Sequence, residues 1–87
     1  MEVLRAFGRA IKARRAEIGI TQEELARAAN MSRAHISSIE RGTNNAGISA
    51  VYSLSKSLDC KASELWLKTE KILGDLELHG IKLDGKN

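Results

Sequence analysis

Proline is absent from this chain of 87 residues, and Phe, Trp and Tyr occur once each. Sheets favour aromatic and β-branched residues, whereas Ala, Leu, Ile, Glu, Lys and Arg are abundant here, so an all-α domain is expected. The single cysteine, Cys60, excludes an intramolecular disulfide. No charged start followed by an apolar run resembles a signal peptide, and no apolar run is long enough for a membrane span, so the expected compartment is the cytoplasm. Catalysis has no foothold: no serine sits in a nucleophile turn, and there is no glycine-rich phosphate loop. His35, His79 and Cys60 lack any close ligand spacing, so neither a metal nor another cofactor is expected. Three aromatic residues are too few for a platform on which bases stack. With 43% hydrophobic residues there is material for one small core, and neither an internal repeat nor a low-complexity run divides the chain.

What is present begins with charge. The net charge is +3, but residues 1–62 hold ten Lys or Arg against six acids, and residues 63–87 hold four against five. A basic body suits a polyanionic partner, and a near-neutral tail suits a different task. A merely solvated surface accounts for the charge alone equally well.

Residues 21–42, TQEELARAANMSRAHISSIERG, contain two short helix patterns, each with its own start. Thr21 and Glu24 have the spacing of a capping box, with Ile20 and Leu25 placed as a hydrophobic staple. Ser32 opens the second helix, with Met31 and Ile36 as its staple and His35 where a full box would carry Glu. Asn30 tolerates the left-handed conformation that the turn between them needs. The segment reads as a helix-turn-helix. Leu25, Ala26 and Ala29 form the inner face of its first helix. In the second, Ile36 and Ile39 point inward, while Ala34, Ser37 and Ser38 point away and Arg33 stands at the exposed tip.

Before this segment, Leu4, Phe7, Ile11 and Ile18 recur at helical spacing, so a first helix is expected from about Glu2 to Glu17, ended by Gly19. After it comes a polar loop, Thr43 to Asn45. Ile48, Val51, Leu54 and Leu58 then predict a fourth helix, with Ser49, Ser53 and Lys56 outside its core face. Ser63 starts a fifth helix, with Glu64 complementing the dipole in its first turn. Its apolar residues are too many for one thin stripe, and some must face a partner. Gly74 and Gly80 leave its length open, and Lys82 to Asn87 read as a frayed end.

ITQEELA, ISSIERG and ISAVYSLSKSLDCKASELW, in that order, resemble the Cro/C1-type (XRE) helix-turn-helix family of prokaryotic and phage regulators, over about residues 4 to 67. SRAHISSIERG and the short length, without an effector or protease module, are similar to restriction-modification controller proteins. Two positions depart from the family pattern: Asn30 replaces the usual turn glycine, and Ala46-Gly47 replaces a Pro-Ser or Pro-Thr pair before helix 4.

The resemblance implies a five-helix, lambda-repressor-like domain whose third helix enters the DNA major groove while the second crosses the backbone. It implies base contacts from Arg33, Ala34 and Ser37. Arg33 would pair with a guanine edge, Ala34 would touch a thymine methyl, and Ser37 would take either edge. Gln22, Ser38, His35, Arg41, Thr43 and Asn44 would hold the phosphate backbone. Arg15 and Glu40 would form a structural ion pair.

The resulting expectation is a DNA-binding domain over residues 1–67 and a C-terminal helical extension over 68–87. Leu65, Trp66, Ile72, Leu73 and Leu76 are expected to make a homodimer that binds double-stranded DNA at a palindromic operator, with no membrane and no small-molecule effector involved. An antitoxin that also represses its operon, and a protein-interaction module that uses the fold without DNA, stand as alternatives.

Overall fold

The computed structural model describes residues 2–78, with side chains through Asp75. Five helices follow in order: α1 Glu2–Ile18, α2 Gln22–Ala29, α3 Arg33–Arg41, α4 Ile48–Ser57 and α5 Ala62–Leu78. Among the described residues there is no strand.

Local signals set most of the boundaries. Gly19 leaves α1 with φ +76°. Thr21 Oγ1 accepts from the Glu24 N–H at 3.0 Å, and Glu24 Oε1 accepts from the Thr21 N–H at 2.9 Å. Such a cap is worth about 1 kcal/mol. Asn30 takes the left-handed turn at φ 58°, and Ser32 Oγ then caps α3 by accepting from the His35 N–H at 3.0 Å. Gly42 ends α3, again left-handed.

Each helix contributes to one core, whose buried residues include Phe7, Ile11, Leu25, Ile36, Ile39, Leu54, Leu58 and Leu65. Complete burial of an Ile or Leu stabilises by roughly 1.5–3 kcal/mol, so these contacts, more than helix propensity, hold α2 and α3 at their angle. α5 lies along α1. Arg14 on α1 also secures the end of α4, its Nε donating to the Leu58 carbonyl at 2.9 Å and its Nη2 to that of Asp59 at 3.0 Å.

Several expectations change. Ile48 is not a core residue but is 89% exposed. It is the first residue of α4, after a Gly47 start that has no side-chain cap, and Ala46 and Val51 pack on the core in its place. The inner face of α4 continues instead through the buried Ser55, while Ser53, expected outside, donates to the Ala29 carbonyl of α2 at 3.3 Å.

The fifth helix starts at Ala62 rather than Ser63, because Glu64 reaches back to accept from the Lys61 N–H at 2.7 Å and so caps the turn. The helix continues through Gly74. α5 spans both sides of Leu67, and Thr69 beyond it is fully buried.

Leu65, expected at a dimer interface, is 1% exposed and belongs to the monomer core, so it has no surface to offer a partner. The expectations for His79, Gly80 and Lys82 to Asn87 lie outside the described residues, as does the side chain of Leu76. Among the described residues, no helix is long and apolar enough to cross a membrane.

Candidate nucleic-acid interface

The candidate surface is built on the N-termini of α2 and α3. In both, the residue just after the cap carries a polar or charged side chain: Gln22 after Thr21 and Arg33 after Ser32. The interhelix turn brings these two side chains into contact, with Arg33 Nη1 donating to Gln22 Oε1 at 3.2 Å. A helix N-terminus also presents unpaired N–H groups and a partial positive charge, both suited to a phosphate.

Behind this surface lies the ion pair. Arg15 Nε donates to Glu40 Oε2 at 2.7 Å and Nη2 to Oε1 at 3.1 Å, with the Glu40 side chain 4% exposed. Arg15 Nη1 also donates to the Ile20 carbonyl at 3.0 Å, just before the α2 cap. The hydrogen bond to Glu40 raises the Arg15 pKa further above its ordinary value, outweighing the opposing effect of desolvation. Removing one partner of such a buried pair costs about 3–5 kcal/mol, because the other charge is left uncompensated. The pair joins the end of α1 to the end of α3 and fixes the pitch of α3 relative to the rest of the molecule.

On α3, Arg33, Ala34 and Arg41 are exposed, and Ser37 is half-buried. Arg41 Nη1 donates to Ser37 Oγ, which leaves the hydroxyl hydrogen of Ser37 available to donate elsewhere. Short side chains flanked by two arginines let a helix approach a groove floor closely while the arginines reach farther.

The remaining expected contacts divide in two. His35 is half-buried and Asn44 exposed. Ser38 instead turns inward, donating its hydroxyl to the His35 carbonyl at 2.8 Å, and Thr43 donates its hydroxyl to the Ser38 carbonyl at 3.2 Å. Phosphates accept hydrogen bonds, so the donors that Ser38 and Thr43 would need are engaged within the protein. No group of three or more His, Cys, Asp or Glu among the described residues is placed to hold a metal ion.

Two features escaped the sequence. Gln22 also donates to Glu40 Oε1 at 3.0 Å, which links the ion pair to Arg33. The available signal was that Gln22 and Arg33 occupy equivalent positions after their caps. The second is Gly8, where α1 passes against the last turn of α3 so closely that a Cβ would stand 2.4 Å from the Ile39 and Glu40 carbonyl oxygens. A glycine in mid-helix facing a buried stripe was its signal.

The helix-turn-helix family model matches residues 11–65. A search of curated proteins found no match. Solved structures do match. The restriction-modification controller protein C.Esp1396I, as a tetramer in complex with its natural 35 base-pair operator, is 32% identical with a TM-score of 0.76, covering 82% of this chain and 93% of that one. The controller protein C.AhdI from Aeromonas hydrophila is 31% identical with a TM-score of 0.70, covering 71% and 94%. The clp gene regulator ClgR from C. glutamicum is 26% identical with a TM-score of 0.77, covering 79% and 88%. With the geometry of α2 and α3 and a family match over most of its length, this chain belongs to the helix-turn-helix family, in its Cro/C1 (XRE) branch of DNA-binding transcription regulators.

Proposed function

We propose that the chain is a sequence-specific regulator that binds a palindromic operator as a homodimer and acts as a repressor or controller, including of its own gene. The observation that carries this reading is the outward face of α3, where Arg33 and Ala34 are exposed on a helix fixed from behind by the Arg15–Glu40 pair. In the major groove, Arg33 reads guanine O6 and N7, Ala34 touches a thymine methyl, and Ser37 donates its free hydrogen to a base edge. Gln22, His35, Arg41 and Asn44 hold the backbone. The operator-bound tetramer of C.Esp1396I supports the same use of the fold here.

One module of this size contacts too little DNA to select a site, so the reading requires a second copy. The candidate contact surface on α5 comprises the exposed apolar side chains Trp66 and Leu67, with the half-buried Ile72 and Leu73 further along the helix; Ile48 and Tyr52, one turn apart on α4, are exposed as well. Half-site centres are then expected about 34 Å apart or at a multiple of that spacing.

Selection of bound duplexes from a random pool at near-physiological salt tests this. A symmetric motif is expected. Affinity that remains micromolar, steeply salt-dependent and blind to sequence would overturn the reading and favour a protein-interaction module.

A further inference from the structure

We propose that Glu40 is a positioning residue for base reading: by fixing the orientation of the Gln22 amide, it determines where the Arg33 guanidinium stands. The inference rests on the DNA-reading role given to Arg33 above and names what controls it.

The chemistry is directional. Glu40, nearly buried, offers only acceptors to its surroundings, and Arg15 approaches both of its oxygens. Gln22 meets Oε1 of the same carboxylate at 3.0 Å. An amide has one donating and one accepting end, so the carboxylate selects the NH2 end, and the amide oxygen must face away. That oxygen is the acceptor for Arg33 Nη1 at 3.2 Å. A flipped amide would set oxygen against carboxylate and NH2 against guanidinium, replacing two hydrogen bonds with two repulsions. The charge of a buried group is thereby transmitted through one side chain to an exposed arginine.

Two consequences suit DNA reading. An unrestrained arginine surrenders up to about 2 kcal/mol of rotamer entropy when it is fixed, and one held in advance surrenders less on binding. Only one of the five guanidinium N–H groups is used by Gln22, so enough remain for a bidentate base contact. The second Nε2 hydrogen of Gln22 also stays available for a phosphate.

The test compares Glu40→Gln with Arg15→Lys. Both weaken the ion pair and should lower the melting temperature, but only the first removes the carboxylate that orients Gln22. Base preference is measured by competition between the selected operator and its single-base variants, with the position read by Arg33 identified through Arg33→Ala. Glu40→Gln should reduce discrimination at that position roughly 2- to 10-fold, the net worth of one hydrogen bond, and leave other positions nearly unchanged. Arg15→Lys should retain it.

A readout without DNA accompanies this: the Nε2 proton of Gln22 that faces Glu40 should have a chemical shift displaced from that of a solvent-exposed glutamine amide in the wild type and in Arg15→Lys, and return toward it in Glu40→Gln. If Glu40→Gln fails to fold, Gln22→Met breaks the same link from the surface and should relax preference at the same position. Equal loss at every position in proportion to lost stability, or unaltered preference in Gln22→Met, would overturn the proposal. A wild type that selects no sequence would sink the DNA-reading role itself, while the Gln22 signals would still report whether Glu40 orients the amide.

Discussion

Gly8 of α1 lies against the backbone carbonyl of Glu40, and a Cβ built on it would stand 2.4 Å from that oxygen. The crowded atoms are backbone, so no flexible side chain can yield. Gly42 repeats the arrangement one turn away: its Cβ would stand 2.7 Å from Arg5 Cα, in a backbone conformation with φ +76°. Two glycines therefore let α1 clamp the end of α3.

Gly8→Ala should force α1 and α3 apart and stretch the Arg15–Glu40 bonds. Overpacking costs about 1–3 kcal/mol, sometimes more, against about 1 kcal/mol gained in helix propensity. Contact with rigid backbone places this case at the costly end. A lower melting temperature and weaker operator binding are expected, and an unchanged melting temperature would show that the crossing has slack.

Arg33→Ala should act on sequence preference more than on general affinity. A bidentate arginine–guanine contact is worth roughly 1–3 kcal/mol of discrimination, so binding to the selected operator should fall about 5- to 150-fold while nonspecific duplex is bound nearly as before. The exposed side chain supports no core contact, and the melting temperature should hold. Equal loss on specific and nonspecific duplex would reassign Arg33 to the phosphate backbone.

Sequence logic reached the helix-turn-helix because its signals are local. Thr21, Glu24, Asn30, Ser32 and Gly42 act within a few residues of themselves, and each takes the expected role. Ile48 misled because its periodicity with Val51 and Leu54 is genuine, yet a periodic pattern does not reveal where along its length a helix meets the core. Leu65 misled for the converse reason: an excess of apolar residues on α5 does not say which of them the first helix already covers. The Gln22–Glu40 contact and the approach at Gly8 join residues eighteen or more positions apart, and only the assembled fold brings them together.

Asp59 is the position where a simple change should stabilise. It follows α4 with φ 55°, a left-handed conformation that asparagine and aspartate tolerate and glycine adopts freely. Its N–H donates to the Lys56 carbonyl and its own carbonyl accepts from Arg14, and both are backbone groups that glycine would keep. Asp59→Gly should stabilise by about 0.5–1 kcal/mol. For a domain of this size that is a rise of roughly 2–8 °C in melting temperature. A fall would mean that the Asp59 carboxylate makes a contribution greater than the backbone strain it tolerates.

Glu17 should shape the acid limb of stability. Hydrogen bonds from Lys68 and Arg14 lower its pKa from the ordinary value near 4.5. A carboxyl with a depressed folded-state pKa binds protons more readily in the unfolded chain, so its contribution is complete above the unfolded value and disappears as pH falls through the folded one. Glu17 is exposed, and solvent screening keeps the effect small. Denaturant melts of Glu17→Gln against wild type should converge as pH falls below about 4 and differ most near neutrality. A gap that widened toward acid would contradict the assigned ion pairs.

The proposed dimer contact is tested on α5. Leu67 is 63% exposed and Trp66 46% exposed, and Trp66 rims an apolar cavity of about 160 Å³ lined by Val3, Leu4, Phe7, Ala46 and Val51. Adjacent exposed tryptophan and leucine on a helix whose other side is buried suit the proposed contact with a second copy. Leu67→Glu places a charge where that contact would exclude water, without disturbing a core residue. It should shift the protein to monomer in sedimentation experiments while the circular dichroism spectrum holds. Binding to the full operator should weaken by about 10²- to 10⁴-fold, because the second half-site is no longer reached intramolecularly. Affinity for a single half-site should be unaffected, since α3 lies elsewhere in the fold. If Leu67→Glu remained a dimer with full operator affinity, the contact would have to be made by another surface.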